Sequence, residues 1–210
     1  MIALALEFST DVRSVAVARG ETVLAEVHYA GTVRTPVFAL IADALKQAGV
    51  TRDQIELLAV GIGPGSYTGV RLALAVAQGW QLATGVKTVG VNSLGTLARA
   101  VTTPTLLAVD AQRGELAVAR AENGLLLEPV RLLPLAELRL LQAAGEVIAG
   151  PGLERFLPTA IPLFPAASQT LRLARLEPAS VPAETLAPVY LRVASFVKAP
   201  TPRSLPGFES

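Results

Sequence analysis

Residues 57–84, LLAVGIGPGSYTGVRLALAVAQGWQLAT, constrain the fold more than any other stretch, because a buried strand, a glycine loop and a long apolar helix follow one another without a break. Leu57 to Ile62 is a short apolar run without charge. Such a run predicts a strand covered on both faces, as in a parallel sheet flanked by helices. Gly61, Gly63 and Gly65 permit positive φ or close backbone approach, Pro64 stiffens the turn, and Ser66 or Thr68 is placed to cap the helix. Two readings of the loop stand side by side: a structural turn, and an anion seat made of the free N–H groups of the helix start with Arg71 one turn in. The loop lacks the lysine of a Walker A sequence, and its glycines miss the G-x-G-x-x-G spacing.

From Val70 to Ala83 the clearly polar positions are Arg71, Gln78 and Gln81, so the polar stripe is narrow. A surface helix needs an apolar stripe only somewhat over about 100° wide, so this one has apolar circumference for a second partner. Ala73, Ala77 and Gly79 let a neighbour approach closely, and Trp80 is a candidate anchor. The alternative is a helix buried inside a larger domain.

At 210 residues, the chain accommodates one large domain or two small ones. The composition is 51% hydrophobic against 17% charged, yet the longest candidate span, Leu72 to Val86, is interrupted by Gln78, Gly79 and Gln81. It falls short of the roughly 18 to 20 apolar residues a membrane helix needs, so no membrane association is expected. The N-terminus has no basic region ahead of its apolar run and meets Glu7 at once, so no signal peptide is expected. With no cysteine, the chain has neither disulfide nor thiol nucleophile, and a cytoplasmic location is the expectation. The net charge is +1 and neither half is a basic module, which argues against a strong RNA grip by this chain alone. His28 is the single histidine, so the usual imidazole pair of a catalytic metal site is missing and no serine triad is indicated.

In chain order, strands are predicted at Ile2–Glu7, Val12–Ala18 and Thr22–His28, with a hairpin turn at Arg19-Gly20-Glu21. Thr35-Pro36 opens a helix with Phe38, Ile41, Ala42 and Leu45 on one face, and Gly49 stops it. After the central stretch come a strand at Lys87–Val91 and a helix at Ser93–Val101 capped by Ser93. From Pro104 the pattern restarts with strands at Thr105–Asp110, Glu115–Ala121 and Leu125–Leu133, a helix at Pro134–Leu141, and a strand at Glu146–Ala149 running into Gly150-Pro151-Gly152. Beyond Gly152 prolines break the periodicity, and only Ser168–Leu176 reads as helix. The expected organisation is a first half at 1–101, a reduced second half at 102–199 and a flexible tail at 200–210.

Two βββαβαβα units in tandem, the second reduced, describe the α/β architecture shared by actin, the Hsp70 chaperones and sugar kinases (ASKHA). GIGPGSYTGVRLALAVAQG at 61–79, LALEFST at 4–10, VGVNSL at 89–94, VDAQRGEL at 109–116 and APVYLR at 187–192 together resemble the TsaB (YeaZ) family. The resemblance spans residues 1 to about 198 in the same order. It implies a partner subunit in bacterial synthesis of N6-threonylcarbamoyladenosine at position 37 of tRNA. It also implies pairing with TsaD, the related catalytic subunit, with the ATPase TsaE joining the assembly. tRNA would be met only through that complex, and a homodimer is implied when TsaD is absent. The implied interface lies on the helices at 35–48 and 69–84, with Phe38, Ile41, Val70, Arg71, Ala73, Leu74, Ala77 and Trp80 as its residues. TsaD carries an H-x-x-x-H metal pair that this sequence lacks, so no catalytic and no metal-ligating residue is assigned here.

In nucleotide-binding relatives of the fold an acidic residue ends the first strand and the next turn touches phosphate. Glu7-Phe8-Ser9-Thr10 stands there, with Glu where the family more often has Asp, and Asp110 matches it in the second half. Glu7, Ser9, Thr10, Gly63, Gly65, Ser66 and Asp110 are therefore the candidate nucleotide contacts, and a carboxylate capping its own turn is the competing reading for both acids. The resemblance implies no cofactor required by this chain alone and leaves room for ATP or ADP and a metal in the assembled complex, in this subunit or at its junction with a partner. An ATPase or kinase of the same fold, using Glu7, Ser9, Asp110 and the Gly63–Ser66 loop, is the alternative function.

Overall fold

A computed structural model describes residues 1–31, 35–176 and 181–192. The first sheet contains β1 (Ile2–Glu7), β2 (Val12–Arg19), β3 (Thr22–Ala30), β4 (Leu57–Gly61) and β5 (Lys87–Val91), in the order β3-β2-β1-β4-β5. Strands β1, β4 and β5 pair in parallel, β2 pairs antiparallel with β1, and β3 antiparallel with β2, so that β2 alone runs against the rest. The second sheet contains β6 (Thr105–Asp110), β7 (Glu115–Glu122), β8 (Leu125–Leu126), β9 (Arg131–Pro134), β10 (Ile148–Gly150) and β11 (Ile161–Pro162). Its order, β11-β10-β6-β7 with β8 and β9 both on β7, repeats that of the first sheet, β8 and β9 together standing where the first sheet has β3. This is the duplicated ASKHA plan, shortened in the second copy.

Alternation along β1 decides what covers each face. Leu4 and Leu6 point with Val15, Val17, Leu58 and Val60 toward α1 (Val37–Ala48) and α2 (Tyr67–Thr84). Ala3 and Ala5 point the other way with Ala16, Ala18 and Ala59, toward α5 (Ala167–Ala174). Each fully buried leucine on the first face contributes about 1.5–3 kcal/mol, whereas the alanine face lets α5 lie close against the strands. Helix α3 (Ser93–Ala98) leaves the first sheet and packs on the second through Leu94, Leu97 and Ala98. The far side of that sheet is closed by α4 (Leu135–Ala143), through Leu138.

Several boundaries differ from expectation for local reasons. Helix α3 is capped by Asn92, whose Oδ1 accepts from the Leu94 and Gly95 N–H groups at 2.9 and 3.3 Å, not by Ser93, and it ends at Ala98. The strand expected at Leu125–Leu133 divides into β8 and β9, with Glu128-Pro129 between them. Thr35 does not cap α1, because its Oγ1 accepts from the Arg13 guanidinium. Gly49 does end α1, at φ 62°. Strand β11 lies inside the proline-rich stretch that gave no strand signal. Residues 105–162 build the second sheet, but α5 and residues 181–190 pack on the first half. The predicted tail at 200–210 lies outside the described residues.

Candidate functional site

The glycine loop is held against the end of β1. A Cβ on Gly61 would lie 2.1 Å from the Glu7 Oε2, and one on Gly69, in the first turn of α2, would lie 2.0 Å from the Phe8 carbonyl oxygen. The motif therefore leaves room beside Gly61 for the Glu7 carboxylate and lets the start of α2 approach the backbone after β1 more closely than a side chain would permit. The Ser66 N–H donates to the Ser9 carbonyl at 2.7 Å, and the Ser66 Oγ caps α2 by accepting from the Gly69 N–H at 3.2 Å.

Glu7 has no exposed surface. Its Oε1 accepts from the Ser9 N–H at 3.0 Å, the Ser93 hydroxyl reaches both carboxylate oxygens at 3.2 Å, and the Thr170 hydroxyl reaches Oε2 at 3.3 Å. Burial pushes its carboxyl above the usual range, and these hydrogen bonds pull the other way. Ser93 also accepts from the Gly63 N–H at 3.1 Å and donates its own N–H to the Gly63 carbonyl at 2.8 Å. Glu7 thus braces the loop from behind through Ser93. Sequence reasoning gave Ser93 only a capping role and Thr170 none, since neither has any link to Glu7 along the chain.

Between the two sheets lies a cleft of about 760 Å³. Of the seven candidate contacts, Ser9, Thr10, Gly63, Gly65, Ser66 and Asp110 line it and Glu7 does not. Thr10 donates its hydroxyl to the Val12 carbonyl at 2.7 Å. Asp110 caps its own turn, accepting from the Gln112 N–H at 2.7 Å, and pairs with Arg155 at 2.5 Å. Both acids expected near phosphate are thus engaged within the protein. No group of three His, Asp or Glu side chains able to hold a metal ion occurs among the described residues. Glu7 is thus sealed away from the cleft, and Asp110 reaches it only as the partner of Arg155.

Residues 186–192 cross the cleft mouth as a strap. Leu186 packs on the first half's core, and the Val189 N–H donates to the Ile62 carbonyl at 2.9 Å. Arg192 then spans to the second half, donating through Nε to Glu115 at 2.8 Å and through Nη1 and Nη2 to the Ala111 and Gln112 carbonyls at 2.9 and 2.8 Å. The APVYLR motif marks this element in the sequence, but its place across the cleft depends on tertiary pairing.

The candidate interface needs one correction. Ile41, Val70, Ala73, Leu74, Ala77 and Trp80 belong to the first half's own core, where the sheet consumes the inward side of both helices. They are not available to a partner. Phe38, which is 70% exposed, and the half-buried Arg71 remain from the expected set. Tyr67 and Leu82, exposed by 69% and 91%, complete the outward face of α2. The sequence showed that this helix had too much apolar surface for one neighbour, but not which side the sheet would take.

The tRNA threonylcarbamoyladenosine biosynthesis protein TsaB of Escherichia coli is 32% identical to this chain over 220 residues, covering 90% of this chain and 94% of that protein. The chain belongs to the TsaB family. Two Pseudomonas aeruginosa structures agree with that membership. YeaZ superimposes with a TM-score of 0.73 at 28% identity, covering 90% of this chain and 99% of its own. A protein described as similar to peptidase YeaZ gives 0.77 at 27%, covering 91% and 99%. The family model described as TsaD, tRNA N6-adenosine threonylcarbamoyltransferase, matches residues 34–131. A transferase of that name from Dinoroseobacter shibae is 34% identical over 108 residues, covering 43% of this chain and 30% of that protein. The likeness to TsaB and YeaZ drawn from the motifs is thus borne out, and the family's place is in threonylcarbamoyladenosine synthesis on tRNA.

Proposed function

We propose that this chain is a non-catalytic scaffold that pairs with TsaD, and with TsaE in a larger assembly, for threonylcarbamoyl transfer to adenosine 37 of tRNAs reading codons that begin with A. The observation that carries the reading is the outward face of α1 and α2, where Phe38, Tyr67 and Leu82 lie exposed on helices whose other sides are already buried. Exposed apolar residues on one helix pair are the usual mark of a protein interface. The same face serves a homodimer when TsaD is absent. In this reading transfer takes place on TsaD, tRNA is met only in the complex, and the assembly works in the cytoplasm; no helix among the described residues is long and apolar enough to cross a membrane.

Light scattering after size exclusion tests the proposal, on the protein alone and mixed with the TsaD of its own source. The expected result is a dimer that converts to a mixed complex. A protein that ignores TsaD would refute the partner role.

A small ATPase or kinase is the second reading, and the cleft is the observation in its favour. Sealed Glu7 and paired Asp110 oppose it. Calorimetry of the chain alone with ATP and magnesium decides: micromolar binding with turnover would establish it, and no heat would remove it.

A further inference from the structure

Helix α2 carries one charged residue in its 18, Arg71, and it lies on the outward side. Its guanidinium is fixed in place. It stacks 3.4 Å from the centroid of the Tyr67 ring, lies 5.7 Å from that of Tyr190, and donates to the Tyr190 hydroxyl at 2.5 Å. Among the described residues no carboxylate lies within ion-pair distance of it, and Asp110, across the same cleft, is held by Arg155. Arg71 is therefore a pre-oriented cation without a carboxylate, at one end of an apolar docking face. Covering such a group without a counter-charge leaves it desolvated and unpaired, which is strongly unfavourable. A planar guanidinium already held by stacking loses little further freedom when a carboxylate docks on it.

A second copy of this chain is poorly equipped to supply that carboxylate. Its α2 has none, so a two-fold pairing of α2 faces offers Arg71 no counter-charge from that helix. Helix α1 offers a single acid, Asp43. We propose that Arg71 is the specificity determinant of the interface, selecting a heterologous partner that presents a carboxylate to the N-terminal end of α2 and disfavouring self-pairing. Discrimination of this kind works through the repulsive element as much as through the attractive one. The inference rests on the pairing reading above.

The test compares mixed and self pairs by light scattering and titration at about 0.05 and 0.5 M salt, where screening of an exposed ion pair differs strongly. Arg71→Met is expected to weaken the mixed pair at least tenfold, to flatten its salt dependence, and to leave the self pair as tight as before or tighter. Leu82→Glu is the control and should block both pairs. If Arg71→Met changes neither affinity nor salt dependence while Leu82→Glu still blocks, the carboxylate is refuted and the pairing survives. Should Leu82→Glu block neither pair, the docking face itself is wrong. Equal weakening of both pairs by Arg71→Met, matched in the self pair by Asp43→Asn, would make the acid that of a second copy and overturn the selectivity.

Discussion

The packing of the glycine motif against β1 can be tested with one substitution made twice in the same helix. Gly69 and Gly79 both lie in α2, where Gly→Ala normally stabilises by about 1 kcal/mol through helix propensity. At Gly79 a new Cβ meets nothing within 4 Å, so that gain should appear in full. At Gly69 the Cβ would sit 2.0 Å from the Phe8 carbonyl oxygen, about 1.3 Å inside an ordinary C···O contact, and the obstacle is buried backbone with no rotamer to swing away. Overpacking of this kind costs about 3 kcal/mol at the upper end of its usual range, leaving a net loss of about 2 after the propensity gain. For a chain of this size each kcal/mol moves Tm by about 2–4 °C, so Gly79→Ala should melt about 3 °C higher and Gly69→Ala about 6 °C lower. The lone tryptophan, Trp80, is nearly buried in the core and reports urea unfolding by fluorescence. Repeating the measurement at two protein concentrations separates folding from any self-association. Equal stability of the two variants would mean that β1 does not lie against the start of α2.

Glu7→Gln should flatten part of the pH dependence of stability. Burial holds this carboxyl above its ordinary value in the folded protein, so its contribution favours the fold most at acidic pH and is lost as pH rises through the raised pKa. From about pH 5 to pH 8 the urea midpoint of the variant should therefore fall less, or rise more, than that of the parent, and an identical change in both would refute the burial argument. Arg192→Ala should cost about 1 kcal/mol, because its charged hydrogen bonds are partly solvent-screened. Faster hydrogen exchange at residues 111–115 is the diagnostic, and unchanged protection there would show that the strap does not tie the halves. Ala77→Arg should unfold the protein and not merely separate partners, since Ala77 is fully buried; a folded monomer would contradict its placement in the core.

The sequence was most informative where a residue's role is local. The alternation of β1, the Ser66 cap and the Gly49 stop follow from short-range rules that tertiary context did not override. The duplicated strand order followed from the two rounds of the same pattern. Roles that depend on distant partners were not legible. Nothing in the spacing of Glu7, Ser93 and Thr170 announces one hydrogen-bonded group, and the long Glu side chain, first considered as a phosphate-side acid, turns into the core beside Gly61. The α2 interface shows the same limit in another form. Hydrophobic excess counts the partners a helix needs, but it does not say which residues each partner will cover.

The exchange of α3 and α5 bears on whether this protein can be divided. Each helix follows the last strand of one sheet and closes the other, so neither half is complete from its own stretch of chain. The Thr102–Pro104 link looks like a domain boundary in the sequence, yet a fragment ending there would leave the alanine face of the first sheet open to water and Glu7 without Thr170. Proteolysis at that link is expected to leave two pieces that stay together, because separation would strip each of its missing layer. Expressed separately, the pieces should acquire structure only when mixed. That interdependence makes the halves one cooperative folding unit, and it makes the link a natural place to split the chain for a complementation reporter.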